Sequence, residues 1–414
     1  MKEIVVIGGG AAGLMAAIAA SEKNAKVCLL EPNDRLGKKI NITGKGRCNV
    51  TNYTDLDGLM ENIPRNGRFL FSALSHWMPE DTMAFFEKQG VALKVERGNR
   101  VFPVSDSAFD ISDALRKRAQ TLGVEWIHDR GVSIQAENQK IKAVQGEKGT
   151  YPCQAVILAT GGISYPGTGS TGDGYRLAEE MGHSIVPPTG SLVPLVSPCG
   201  DCGAMQGLSL KNVEVTACNE KNKVVFREFG EMLFTHFGVS GPVILSMSAH
   251  LRDWDKHCYH MVIDLKPALT EEKLENRILR DIADNPNQDV SNLLAGLVPH
   301  SMVQVMMDRL SFPSGKKNNS ITRSQRQALL TLLKRFEIPL TGPRGVEEAI
   351  VTSGGVKVSE VDPATMASKI IDGLYFAGEV LDVDAYTGGF NLQIAWTTGH
   401  LAGTSAAQKT TKEG

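Results

Sequence analysis

The hydrophobic pattern is clearest over the first 35 residues. Ile4 to Ile7 is a short β-branched run, Gly8-Gly9-Gly10-Ala11-Ala12-Gly13 follows, Leu14 to Lys23 is alanine-rich with helical spacing, and Ala25 to Glu31 reads as a second buried strand. Continuous apolar strands on either side of a helix predict a βαβ unit with parallel strands, closed here by an acidic residue. Further on, Asp110 to Leu122 has helical spacing, Val124 to Ile127 and Val132 to Ala136 read as strands, and Ala155 to Ala159 is another buried strand. Residues 1–187 are expected to form one α/β domain.

The pattern changes after Pro187. Prolines punctuate short alternating segments at Val213 to Ala217, Lys223 to Arg227 and His260 to Leu265, which predicts a β-rich insert over 188–268. Residues 269–345 turn helical and charged, with candidate helices at Glu271 to Ile282, Val290 to Leu297, Ser301 to Leu310 and Thr322 to Phe336. From 346 to 414 the first style returns: Gly373 to Glu379 is a buried strand running into glycine, and a helix is expected from Asn391. The expected fold class is α/β, a discontinuous Rossmann-like domain interrupted by the insert.

Composition narrows the classes. The chain has 414 residues, 42% hydrophobic and 22% charged, enough for two or three domains enclosing a large ligand, and unlike a disordered chain, a coiled coil or a disulfide scaffold. Lys+Arg 44 against Asp+Glu 46 gives a net charge of −2, so no whole-chain field draws nucleic acid or anionic lipid. No apolar run reaches the ~20 residues of a membrane span. Seven scattered cysteines and the absence of a leader pattern after Met1 and Lys2 point to the cytoplasm; only the tail after Ala406 looks low in complexity.

Gly8-x-Gly10-x-x-Gly13 lies between a strand and a helix, and Glu31 ends the next strand. In that context the glycines allow a tight turn and close backbone approach to a pyrophosphate, the helix N-terminus favours its charge, and Glu31 suits a ribose. FAD and NAD both fit; an acidic residue disfavours a 2′-phosphate. Thr160-Gly161 and Gly378-Glu379 end two further buried strands, as in flavoproteins whose dinucleotide is covered by a later strand–loop element. Glu379 and Asp382 suit ribityl hydroxyls, and Gly388-Gly389-Phe390-Asn391-Leu392-Gln393 opens a helix whose N-terminal amides suit the flavin N1/O2 edge. Gly44-Lys-Gly-Arg-Cys-Asn49 can present amides and positive charge to the same ligand.

Other motifs carry less. Gly167-x-Gly169-x-x-Gly172 lacks the strand and the acidic residue of a second dinucleotide fold, and reads as a flexible loop near the flavin, with Ser164-Tyr165-Pro166 lining a substrate cavity. Cys199-Gly-Asp-Cys202 is a Cys-x-x-Cys in a Pro/Gly loop away from a helix start and reads as structural; no metal site is expected. Cys48 has no resolving partner nearby and reads as packing beside the cofactor. Arg47, His236, Tyr165 and Tyr386 are the candidate catalytic residues: Arg47 to orient an anionic or carbonyl substrate, the others for proton transfer.

Four stretches in order resemble the BaiN-like (YhiN-type) FAD-dependent oxidoreductases, also called aminoacetone-oxidase-like: Gly37 to Asn52, Ser191 to Leu195, Glu231 to Pro242 and Gly378 to Gln393. The resemblance implies non-covalent FAD in a discontinuous domain, with a β-barrel-like insert carrying a helical subdomain and the substrate entering between domain and insert. It implies that Lys39, Gly44, Cys48, Asn49 and Asn52 lie along the FAD, and that Val132 offers its backbone to the adenine. Phe390 stands where the family often has tyrosine. The implied reaction is hydride transfer at flavin N5, reducing a steroid- or bile-acid-like enone with NAD(P)H as a transient donor. Two alternatives stand beside it: an aminoacetone-type amine oxidase using oxygen, and a flavin-dependent RNA-modifying or RNA-binding protein, which the near-neutral charge disfavours.

Overall fold

The computed structural model describes residues 3–413, with side chains through residue 410; Met1, Lys2 and Gly414, on which the leader and tail readings partly fall, lie outside the described residues. Two compact units emerge: the residues up to Ser191 together with those from Val346 onward, and Leu192–Gly345.

The first unit is built on a five-stranded parallel sheet in the order Leu374–Phe376, Ala155–Leu158, Ile4–Ile7, Val27–Leu30, Glu125–Ile127. Its three central strands are buried at every position, as a parallel sheet covered on both faces requires. Ala11–Glu22 follows the first strand, and Ala108–Thr121 precedes Glu125–Ile127. The C-terminal helix Phe390–Glu413 lies against the first helix with backbones almost touching: a Cβ on Gly399 would fall 2.4 Å from the Ala12 carbonyl oxygen, and one on Gly403 would fall 2.2 Å from that of Ala16. Small residues on both helices thus bring the last segment of the chain onto the first, where the dinucleotide turn begins.

Smaller antiparallel sheets decorate this core. Thr51–Asn52, Arg100–Pro103 and Leu93–Glu96 form one, and Gly131–Glu137, Lys140–Gly146 and Thr150–Pro152 another. Ile185–Ser191 pairs with Val351–Val356.

The second unit holds a seven-stranded sheet with antiparallel pairings, in the order Phe336–Leu340, Tyr259–Asp264, Ser209–Asn219, Val224–Thr235, Gly238–Ser240, Leu195–Val196, Gly342–Pro343. Helices Glu271–Asp284, Val290–Leu297, His300–Arg309 and Arg323–Lys334 share one hydrophobic core with it. One expectation needs correction here. Cys199 is not in a plain loop: it is the N-cap of the short helix Gly200–Ala204, and Arg309 donates to the Cys199 sulfur and to Asp201, which ties the turn down. Burial pushes the Cys202 thiol up to about 11.

Candidate functional site

The site grows out of the first strand. Ile4–Ile7 runs into Gly8, whose φ of +104 is open to glycine, and Gly10 begins the helix without any side-chain cap. The first helical amides are therefore left for a ligand. A Cβ on Gly13 would lie 1.8 Å from the Gly8 carbonyl oxygen, so Gly13 does not line the cavity; it lets the helix close onto the turn.

Glu31 sits across from this turn, almost buried. Its Oε2 accepts the Gly9 amide at 2.7 Å, and Oε1 accepts the Asn33 amide at 2.9 Å and Asn33 Nδ2 at 2.8 Å. A carboxylate has about four acceptor positions, so room remains for a ribose hydroxyl. Asn33 Nδ2 also donates to the Thr168 carbonyl at 3.0 Å, holding the Tyr165–Gly172 loop by this edge.

A cavity of about 1150 Å³ opens from the turn, larger than the ~300–1000 Å³ typical of small-ligand sites. Most of the expected cofactor residues meet there: Gly8, Gly10, Ala12 and Glu31 from the first unit's N-terminal segment, then Lys39, Gly44, Arg47, Asn49 and Asn52. Thr160, Gly161, Gly378, Glu379, Gly388, Gly389, Asn391 and Leu392 complete the set, and Tyr165 and Tyr386 line the same space. Two buried polar atoms on its wall, Asn49 Oδ1 and Thr160 Oγ1, have no hydrogen-bond partner. Orphaned polar atoms, uncapped helix amides and a ribose-ready carboxylate in one large cavity fit FAD.

Five expected cofactor residues, Gly13 among them, lie off that wall. Asp382 is buried off the cavity wall, where Nε and Nη2 of Arg65 and Asn66 Nδ2 at 3.0 Å hold its two oxygens, so it is not placed to take ribityl hydroxyls. Gln393 is fully buried: Oε1 accepts from Thr51 at 2.7 Å and Thr82 at 2.9 Å, while Nε2 donates to the Trp77 carbonyl and to Thr397. It pins the C-terminal helix and does not face the cavity. Val132 is half-exposed at a strand irregularity, and its carbonyl accepts from Arg176. Cys48 is completely buried, and burial pushes its thiol up to about 12 against a weaker pull from Thr43. It is an inert packing group.

The catalytic candidates separate as well. Arg47 Nε donates to Asp106 at 2.8 Å, and its Nη2 reaches both Asp106 and Glu96. Glu96 is held below the usual carboxylate range chiefly by Arg47, and Asp106 by Lys94 and then Arg47. With its charge cancelled twice, Arg47 braces the wall and is a poor choice for an anionic substrate. His236 belongs to the second unit, in the turn between Val224–Thr235 and Gly238–Ser240, edge-on to Phe237.

Three features escaped sequence reasoning. Lys39 Nζ donates to Ser164 Oγ and Glu379 Oε2, each at 2.7 Å, and Glu379 Oε1 accepts the Thr352 amide at 2.7 Å and Ser164 Oγ at 2.9 Å. Glu379 is thus part of a closed polar network on the wall. Asn52 Nδ2 bridges the Gly98 and Gly388 carbonyls at 3.0 Å each. Arg100, on the hairpin beside Gly98, also lines the cavity. The partners of Lys39 and Asn52 are far apart in sequence, and no local pattern announces them.

Among the described residues no helix is long and apolar enough to cross a membrane. A model of the HI0933-like protein Rossmann domain matches residues 2–405. The chain is 31% identical over 99% of its length to a 3-dehydro-bile acid delta(4,6)-reductase of Clostridium scindens, covering 100% of that protein. It is also 31% identical to a ribosomal RNA dihydrouridine synthase of Escherichia coli, over 96% of each chain. Among solved structures, a flavocytochrome c3 fumarate reductase in its open conformation matches with a TM-score of 0.53 at 18% identity, over 99% of this chain and 78% of that one. A 3-ketosteroid delta1-dehydrogenase from Sterolibacterium denitrificans matches with a TM-score of 0.50 at 12% identity, over 98% and 99%. At these identities the two structures speak for the fold. The chain belongs to the HI0933-like family of Rossmann-domain proteins, and its class is that of the FAD-dependent oxidoreductases.

Proposed function

We propose that the protein reduces a carbon–carbon double bond conjugated to a carbonyl in a small amphipathic compound, a steroid- or bile-acid-like enone, with NAD(P)H as the electron donor. The observation that carries this reading is the composition of the cavity wall: the dinucleotide turn and Glu31 share one space with Phe102, Tyr165, Ile350, Tyr386 and Phe390. An apolar and aromatic lining next to a cofactor cradle suits a flat hydrophobic substrate. The relative named as a bile-acid reductase supports the same substrate class.

FAD held in this cradle would supply the two-electron chemistry that links NAD(P)H to the conjugated carbonyl compound. The chain's own part is to bind and orient. The uncapped amides after Gly10 hold the diphosphate, Glu31 the ribose, and Asn49 and Thr160 offer unpaired polar atoms to the cofactor. Asn391 keeps the Ala385–Tyr386 segment in place, accepting the Ala385 amide at 2.9 Å and donating to its carbonyl at 2.7 Å. That fixes one aromatic wall. Tyr165 and Tyr386 bring the phenolic hydroxyls of the cavity lining, the groups suited to return a proton to the substrate.

A second reading, reduction of uridine in RNA, is favoured by the relatives named as dihydrouridine synthases. The chemistry is alike, since the uridine 5,6 double bond is conjugated to a carbonyl. Anaerobic titration of the FAD-loaded protein with NADH and NADPH, then with enones, uridine-containing RNA and amines, separates the possibilities. Bleaching by NAD(P)H and recolouring by an enone is the expected result. Recolouring by RNA alone selects the second reading, and bleaching by an amine with peroxide release in air defeats both.

A further inference from the structure

The basic side chains of the cavity fall into two sets. Arg35, Lys39 and Arg47 are each matched by carboxylates: Asp113, Glu379, and Glu96 with Asp106. Arg100, Lys45 and Lys38 are not, and Lys38 Nζ reaches only the Asn33 side-chain oxygen, at 3.5 Å. Among the described residues no carboxylate lies within ion-pair distance of Arg100, and its one side-chain hydrogen bond runs from Nε to the Arg97 carbonyl at 3.0 Å. The Lys45 side chain has no hydrogen bond or ion pair to a described residue, although the residue holds φ at +58 between two glycines, a backbone state that L side chains rarely adopt.

The local geometry brings their two segments together. Phe102 lies 3.4 Å from where a Cβ on Gly44 would be, and its ring carries the Arg47 guanidinium at 4.1 Å and that of Arg100 at 5.9 Å. Asn52 ties the hairpin tip at Gly98 to Gly388, at the turn that opens the C-terminal helix. Anchoring Nε on a carbonyl leaves both Nη groups of Arg100 without a protein partner. Such a fork matches the two oxygens of a carboxylate. The diphosphate of the cofactor does not need it, because the helix amides after Gly10 already serve that group.

We propose that Arg100, with Lys45 on the adjoining loop, binds an oxyanion of the substrate, so that the compound reduced here is an amphipathic enone bearing a carboxylate remote from its double bond. The inference rests on the reductase reading above. A small amphiphile is favoured over an RNA phosphate because the same wall carries Ile42, Ile350 and Phe390, which a polyanion leaves uncovered, and because the chain as a whole carries a charge of −2.

The test is equilibrium binding of two probes to the FAD-loaded protein: a 3-oxo-Δ4 steroid with a side-chain carboxylate, and its methyl ester. Wild type is expected to bind the acid about tenfold more tightly or better, as a charge-assisted bidentate contact allows. Arg100→Gln is expected to bring the acid-to-ester ratio close to one, and Arg100→Lys to keep part of it. Equal binding of acid and ester by wild type, binding of neither, an unchanged ratio in Arg100→Gln, or loss of FAD from that variant overturns the proposal. So does competition by uridine-containing RNA that Arg100→Gln abolishes while the acid-to-ester ratio stays unchanged. Turnover of both probes without preference sinks this inference and leaves the reductase reading; selective binding of the acid without NAD(P)H-driven turnover does the reverse.

Discussion

Lys39 Nζ donates to Glu379 Oε2 at 2.7 Å, joining residues 340 positions apart with both side chains less than a quarter exposed. Burial pushes the Glu379 carboxyl up, but the Lys39 charge and the bonds from Lys39, the Thr352 amide and Ser164 outweigh it, so the group lies below its ordinary range. A depressed carboxylate adds stability that is present above its unfolded pKa and lost as pH falls through the folded one. Lys39→Met removes the main opposing influence, and should cost about 2 kcal/mol near neutral pH. Denaturant titrations between about pH 7 and about pH 4 check it. The deficit of the variant relative to wild type should be full at about pH 7 and shrink toward the acid end of that range.

Gly13→Ala places a methyl 1.8 Å from the Gly8 carbonyl oxygen, a backbone atom that cannot turn aside. The helix must shift off the strand, at about 2–3 kcal/mol. Flavin content after purification and the thermal midpoint should both fall; a variant that folds and keeps its flavin at the wild-type level contradicts the packing account.

Glu31→Ala leaves the Gly9 and Asn33 amides without their acceptor, takes one of the two acceptors of Asn33 Nδ2, and removes the carboxylate proposed to hold a ribose hydroxyl. FAD affinity should drop by roughly tenfold to a hundredfold, the equivalent of one or two charge-assisted bonds. Release of flavin followed by fluorescence gives the dissociation constant directly. An unchanged constant removes Glu31 from the site.

The first βαβ unit is legible in the sequence because everything it needs is local: strand, glycines, helix, second strand and acidic residue follow one another without interruption from Ile4 to Glu31. Even the shift of the helix start, expected at Leu14 and found at Ala11, has a local cause, since Gly10 starts the helix without a side-chain cap. The wall of the cavity is a different matter. Asp382 looks like a ligand residue until Arg65 and Asn66, more than 300 positions away, are seen to close it. Gln393 and Cys48 belong to the motif stretch that carries the family resemblance, yet both are fully buried and serve packing. Motif proximity indicates which segments approach the cofactor. Only tertiary contacts decide which side chains still have a free atom for it.

Cys48 offers a direct check of that distinction. Its thiol is fully buried and pushed up to about 12, so at neutral pH it carries essentially no thiolate. Iodoacetamide should leave it unmodified in the native protein and modify it after unfolding, read by mass spectrometry of the peptide. Rapid labelling in the native state refutes the buried-thiol assignment.

Asp384 sits beside Asp382 in the same loop with almost no exposure, its Oδ2 accepting Ser191 Oγ at 2.7 Å and its Oδ1 unpartnered. Burial raises its pKa above the ordinary value; the nearby Ser191 and Ser353 hydroxyls and Arg65 pull it down, and the Asp382 charge pushes it up again. The sign is opposite to that of Glu379. A raised carboxylate favours folding while protonated, and this contribution disappears as pH rises through the folded pKa. Asp384→Asn keeps the shape and an acceptor for Ser191 without the charge. The variant should therefore match wild type at about pH 4 and become the more stable of the two as pH approaches about 8. Paired thermal melts across that range decide it. A variant that is less stable than wild type at the upper end shows that Asp384 is ionised and needed as a charge.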